Sequence, residues 1–470
     1  MKADNLPVAV IGGGPVGLAA AAHLISRNIP VKIYEAGDTI GASVREWGHV
    51  RLFSPWKYNT DEAVTALLRQ HGWQEPPGDG LPTGSDLYDA YLRPLAETPE
   101  LKAVIETGAT VQAITRDGVD KVVSSGREAH PFSLVVQNGV LRVDQARAVI
   151  DASGTWRTPN PMGASGLPAV GEREAAAYIT YGLPDAFGKD RLAYKGKRVL
   201  IIGGGHSAAN VLLDLARIIE RDAPAKITWA VRSKNLARVF GGGAADQLPA
   251  RGKLGNDLKA LTDSGRLEVV TGFYAKQVAM RDKAVTVAGD GERGATVLGP
   301  FDHIIVATGQ RPNLDLTREL RLDLDPWLEC ARKLGPEIDP NLHSCGSVPP
   351  HGYRELSHPE PGFFTVGVKS YGRAPTFLMA TGYEQVRSVA AYLAGDIRAA
   401  DDVRLVLPET GVCSTDLSAA AQSCCGGPPA PEVDACCVKD AEAKQAGASG
   451  CGCGSQVRPV VAKPKEACCG

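Results

Sequence analysis

The sequence predicts an α/β protein with two parallel-sheet domains, the second inserted into the first, and a disordered cysteine-rich tail. Three observations predict it. A G-x-G-x-x-G run follows a short apolar strand at Val8–Ile11. A second glycine run of the same kind follows Lys197–Ile202. Nine of the 11 cysteines lie between Cys413 and Cys469.

The first unit reads VAVIGGGPVGLAAAAHLISRNIPVKIYE, from Val8 to Glu35. A β-branched strand leads into Gly12, Gly14 and Gly17, an alanine-rich helix follows, and a second strand ends on Glu35. This is the βαβ pattern of a Rossmann-like dinucleotide-binding domain. Gly12 permits the tight turn, Gly14 lets the backbone approach a pyrophosphate, and Gly17 lets helix pack on strand. Pro15 opens the helix, whose N-terminal N–H groups and dipole favour phosphate. Glu35 stands where an acid holds ribose hydroxyls. Gly154, closing the buried strand Ala148–Ser153, returns the chain to this site.

Between these points the periodicity predicts helices at 61–71 and 85–97, and strands at 103–114 and 132–143. The aromatic stretch Arg51–Asn59 suits a pocket wall. Trp47 suits either flavin contact or core packing. The proline-rich run 157–169 reads as a linker. The second unit places Gly203, Gly205 and Ala208 in GGGHSAAN, then a helix and the strand Lys226–Val231, which ends on Arg232 rather than an acid. Arginine accepts a 2′-phosphate that a carboxylate repels, so this unit prefers NADPH; the alternative is a solvated strand-end charge. Further strands are expected at 266–278 and 284–288. The strand Asp302–Gly309 repeats the closing strand of the first unit. The predicted organisation is 1–165 and 309–406 for the first dinucleotide-binding domain, 166–308 for an inserted NADPH-binding domain, and 407–470 for the tail. Thr376 precedes a long helix, 377–393, whose N-terminus is expected to face the flavin.

Composition narrows the function. A net charge of −2 argues against nucleic acid and membrane-surface roles. No apolar run reaches about 18 residues, so no membrane span is expected. Met1–Leu6 leaves no room for a signal peptide before the first strand, and the expected location is cytoplasmic. The tail is too poor in large apolar residues to fold alone. Its cysteines (Cys424, Cys425, Cys436, Cys437, Cys451, Cys453, Cys468 and Cys469, with Cys413 upstream) sit mainly in pairs. Paired thiols suit a thiophilic ion: trivalent arsenic or antimony, mercury, or cuprous copper. The C-x-x-C spacing usual for zinc is absent. Cys345 reads as a small buried residue.

IGGGPVGL with Glu35, GGGHSAAN with Arg232, and IIVATGQRPN together resemble the two-nucleotide-domain flavoproteins over roughly residues 5–400. Within these the pattern is similar to flavin-dependent monooxygenases acting on nitrogen and sulfur. The resemblance implies FAD in the first site, NADPH in the second, and molecular oxygen with a small-molecule substrate. Trp47 matches the family's tryptophan after the ribose acid, and Ser207 its serine in the second glycine run. The family signature ahead of that run is replaced by Tyr181–Asp185. Asn59 and Ser54 are the candidates for the polar group that supports the flavin. The tail resembles the cysteine-pair tails of arsenic- and mercury-handling proteins. Body and tail together resemble the flavin-binding monooxygenases of bacterial arsenic-resistance clusters. Two alternatives stand beside this: an oxygen-independent reductase passing electrons to tail thiols, and a metalloid carrier fused to a flavoprotein.

Overall fold

A computed structural model describes residues 5–221, 226–341, 348–375, 377–405 and 407–408. Thr376, Cys345, Cys413 and the eight cysteines expected to bind a metalloid lie outside the described residues.

The first sheet starts where the sequence is most apolar. Strand β1 (Val8–Ile11) is buried along its whole length and pairs in parallel with β2 (Val31–Tyr34). Burial on both faces is what a continuous β-branched run encodes. The helix Pro15–Ile25 crosses between them, and its four successive alanines are all buried. Side chains this small let the helix lie close to the sheet and to the helix Met379–Leu393. Strand β3 (Ile105–Glu106) adds to the edge beside β2.

Two expected strands are divided. The stretch 103–114 breaks at Gly108, whose φ of 65° lies in the left-handed region. Ile105–Glu106 stays in the parallel sheet, and β4 (Thr110–Arg116) opens an antiparallel one with β5 (Phe132–Asn138) and β6 (Val140–Ala146). The stretch 132–143 is therefore a hairpin, turning at Asn138-Gly139 with Gly139 at φ 65°. Strand β7 (Ala148–Asp151) then returns beside β1.

The second sheet takes β8 (Ile179–Tyr181), β9 (Arg198–Ile202), β10 (Lys226–Ala230) and β11 (Glu268–Val270). The expected strand 266–278 also divides, at Gly272 with φ 62°: β12 (Tyr274–Arg281), β13 (Ala284–Gly291) and β14 (Gly294–Phe301) form a separate antiparallel sheet. Strand β15 (His303–Val306) completes the order β11-β10-β9-β15-β8. Only then does β16 (Phe363–Thr365) pair with β7, giving the first sheet the order β16-β7-β1-β2-β3.

The chain crosses between the sheets twice, and the two crossings run side by side. Pro159 and Gln310 bridge in antiparallel fashion. The Asn160 N–H donates to the Gly309 carbonyl at 2.9 Å, and the Thr308 hydroxyl donates to the Asn160 carbonyl at 2.9 Å. Expected helix ends match their chemistry. Asp61 caps Glu62–Gln70, and Thr83 with Asp86 forms a capping box. The long C-terminal helix starts at Met379, two residues later than periodicity suggests. No helix among the described residues is long and apolar enough to cross a membrane.

Candidate functional site

The first cradle lies at the C-terminal end of β1. Gly12 has φ 101°, and a Cβ there would stand 2.7 Å from the Ala152 carbonyl oxygen. A Cβ at Gly17 would stand 1.9 Å from the Gly12 oxygen. At Gly14 a Cβ would meet nothing within 4 Å. Two glycines are thus demanded by the protein's own backbone, and the third faces open space beside the helix N-terminus. That is the arrangement a pyrophosphate needs. Pro15 occupies the first helical turn, where its missing N–H costs nothing. Glu35, at the end of β2, accepts from the Gly13 N–H at 2.6 Å and the Gly37 N–H at 2.7 Å. These bonds fix its carboxylate, and each oxygen keeps a lone pair for a ribose hydroxyl. Gly154 has φ 71° and approaches Val368.

Trp47 ends the short helix Ala42–Glu46, and its ring lies over Gly84, where a Cβ would come within 2.6 Å of the indole. It is half-buried and packs against the first core. Asn59 is fully buried. Its amide donates to the Ser54 and Pro55 carbonyls at 2.7 and 2.9 Å, and its oxygen accepts from the Ser54 hydroxyl. Both amide hydrogens are spent on their own turn, so neither Asn59 nor Ser54 offers the expected support to a flavin. The conflict arises because a residue type alone does not reveal where its hydrogen bonds go.

The second cradle repeats the geometry. Gly203 has φ 139°, and a Cβ would stand 2.1 Å from the Ala307 oxygen, while Gly205 faces open space. Ala208 is fully buried where the helix His206–Arg221 meets its sheet, so a methyl group is tolerated there. Ser207 is half-buried in the same first turn. Arg232 is exposed just past β10, and one of its N–H groups donates to the Ala164 carbonyl at 3.2 Å. Four N–H donors remain for a phosphate. Arg232→Glu is expected to lower kcat/KM for NADPH on the order of 10- to 100-fold, the worth of one charge-assisted contact. Steady-state comparison with NADH, which should be little affected, checks it.

Sequence reasoning missed the charges beneath the first cradle. Lys369 and Asp151 form a fully buried ion pair at 2.7 Å. Lys369 Nζ also lies 3.0 Å from the Ser153 hydroxyl, and Ser153 donates its N–H and its O–H to Asp151. The pair therefore holds the Ala152–Ser153 backbone against Gly12. Gln385 continues the network, accepting from the Gly367 N–H at 2.8 Å and contacting His351 at 3.0 Å. Burial holds the His351 imidazole below its usual pKa. Among the described residues no group of three or more His, Cys, Asp or Glu side chains is placed to hold a metal ion.

Two glycine cradles of this geometry, on nested parallel sheets, define a protein of the two-dinucleotide-domain class. Comparison with known proteins agrees. Residues 9–331 match the pyridine nucleotide-disulphide oxidoreductase family, and the chain belongs to it. A flavin-containing monooxygenase of Aspergillus flavus is 26% identical over 221 residues, 44% of this chain and 50% of that protein. The chain thus spans about half the length of this curated relative. Among solved structures, the bacillithiol disulfide reductase of Bacillus cereus superposes with a TM-score of 0.61 at 18% identity, covering 83% of this chain and 99% of that one. A flavin monooxygenase from Stenotrophomonas maltophilia superposes at 0.52 with 23% identity, covering 83% and 99%. Likeness at this identity speaks to the fold.

Proposed function

We propose that the protein is an NADPH- and FAD-dependent monooxygenase acting on a soft nucleophile, with trivalent arsenic as substrate and the tail cysteines gathering it. The observation that carries this reading is the thiol content of the body. Before residue 400 the sequence holds only Cys330 and Cys345, far from any C-x-x-C spacing. Cys330 is 1% exposed, and burial, with Asp325 nearby, pushes its thiol up to about 12. Such a thiol is inert. A member of this family without a redox pair beside its flavin needs another acceptor for the electrons, and molecular oxygen is the simplest. The flavin-containing monooxygenase relative supports the same reading.

Bound FAD would supply two-electron chemistry and the activation of oxygen. The chain's own part is to hold the two nucleotides, orient them and keep water out. The balance is one arsenous acid, one oxygen molecule, NADPH and a proton, giving arsenic acid, NADP and water. Arsenite added to the full-length protein with NADPH should start oxygen uptake and NADPH loss in equal amounts, with arsenate accumulating. No oxygen uptake would reject the reading. Anaerobic NADPH oxidation sustained by the thiols would replace it with the reductase.

A further inference from the structure

The aromatic stretch Arg51–Asn59 is not absorbed by either cradle, yet it is built as a rigid ledge. Arg51 bridges Thr83, and the Leu52 N–H donates to the Pro82 carbonyl at 2.9 Å. Ser54 is tied to Asn59, whose carbonyl accepts from the buried Tyr383 hydroxyl at 2.9 Å. The ledge belongs to the half of the chain that carries the first cradle, but it touches the second.

Phe53 makes one such contact. Its ring lies 5.0 Å, centroid to centroid, from the ring of His206. His206 is the first residue of the helix His206–Arg221 and directly follows Gly205, the open position of the second cradle. On another side, the Arg251 guanidinium stands 5.8 Å from the Phe53 ring centroid. Arg251 is buried and held by Asp246 at 2.8 Å, so this flank does not drift. Desolvation, then Arg251, lowers the His206 imidazole below its usual pKa.

We propose that Phe53, docked on His206, sets the distance and angle between the two cradles, and so positions NADPH for delivery of its hydride to the flavin. The two crossings at 158–160 and 308–311 are the paired backbone segments about which rotation of one half on the other would occur. An aromatic contact at the lip of the second cradle fixes that rotation where it matters. Hydride transfer is sensitive to placement: an error of about 1 Å costs on the order of 100-fold. Phe53 is therefore a positioning residue rather than a catalytic one. The inference rests on NADPH feeding the flavin but not on the identity of the final substrate.

The test is anaerobic stopped-flow reduction of the purified holoenzyme by NADPH, followed at the flavin absorbance band without any oxidisable substrate. In Phe53→Leu the limiting reduction rate should fall at least ~10-fold. NADP affinity, read by intrinsic fluorescence titration, should stay within about threefold, and flavin content should be unchanged. Phe53→Tyr should restore the rate. His206→Leu, removing the other ring, should slow reduction likewise if Phe53→Leu fails to fold. A Phe53→Leu rate equal to or above the wild type, or a loss accounted for wholly by weaker NADP binding, overturns the proposal. Because no arsenite or oxygen is present, failure of the substrate reading leaves this outcome untouched.

Discussion

Gly17→Ala is expected to give a protein that purifies without flavin colour and melts well below the wild type. The added methyl would stand 1.9 Å from the Gly12 oxygen and 3.1 Å from its carbonyl carbon. Both are backbone atoms, and Gly12 is itself pressed against Ala152. Relief requires the helix Pro15–Ile25 to move off β1, which opens the core it shares with Met379–Leu393. Overpacking of this kind costs about 1–3 kcal/mol or more. The helix N-terminus beside Gly14 is lost from its place at the same time. Gly14→Ala is the control. Its methyl meets nothing within 4 Å, and its φ of −83° suits any residue. It should keep the melting temperature and lose flavin affinity, because only a bound pyrophosphate would contest that space. Flavin absorbance per protein and thermal melting separate the two. A Gly14→Ala protein with full flavin occupancy would place the pyrophosphate elsewhere.

Lys369→Met is expected to destabilise the protein by about 3–5 kcal/mol, the cost of stranding one member of a buried ion pair. Asp151 would be left fully buried, with only Ser153 donating to it. The Ala152–Ser153 segment loses its anchor, and with it the wall against which Gly12 turns. Flavin affinity should fall together with stability. The pair is a matched set rather than a source of net energy, so Asp151→Asn combined with Lys369→Met should recover much of the loss. Chemical denaturation of the four proteins gives the coupling energy directly. If the double variant is as unstable as the two single losses added together, the pair is not acting as a unit.

Much of the fold was legible because its signals are local. Periodicity and glycine spacing located both βαβ units. The divided strands were legible too, in part. Asn138-Gly139 is a strong hairpin signal, and Gly108 and Gly272 mark the other breaks. An apolar run on both sides of a glycine hides the break, since alternation looks continuous across it. The single-strand expectation failed there for that reason. The polar residues behaved differently. Asn59 looks available in the sequence and is consumed by its own turn, whereas Trp47 is packed against Gly84.

The sequence alone determined the two glycine turns, because a left-handed φ or a sub-van-der-Waals approach is settled by a few adjacent residues and tolerates only glycine. It also determined the scarcity of thiols in the body. Only the tertiary structure decided that Lys369 neutralises Asp151 across 218 positions of chain, and that Phe53 rests on His206. Those pairings have no local signature. They exist because the packing of the whole chain brings distant side chains into a space from which water is excluded, and there each charge and ring must find a partner.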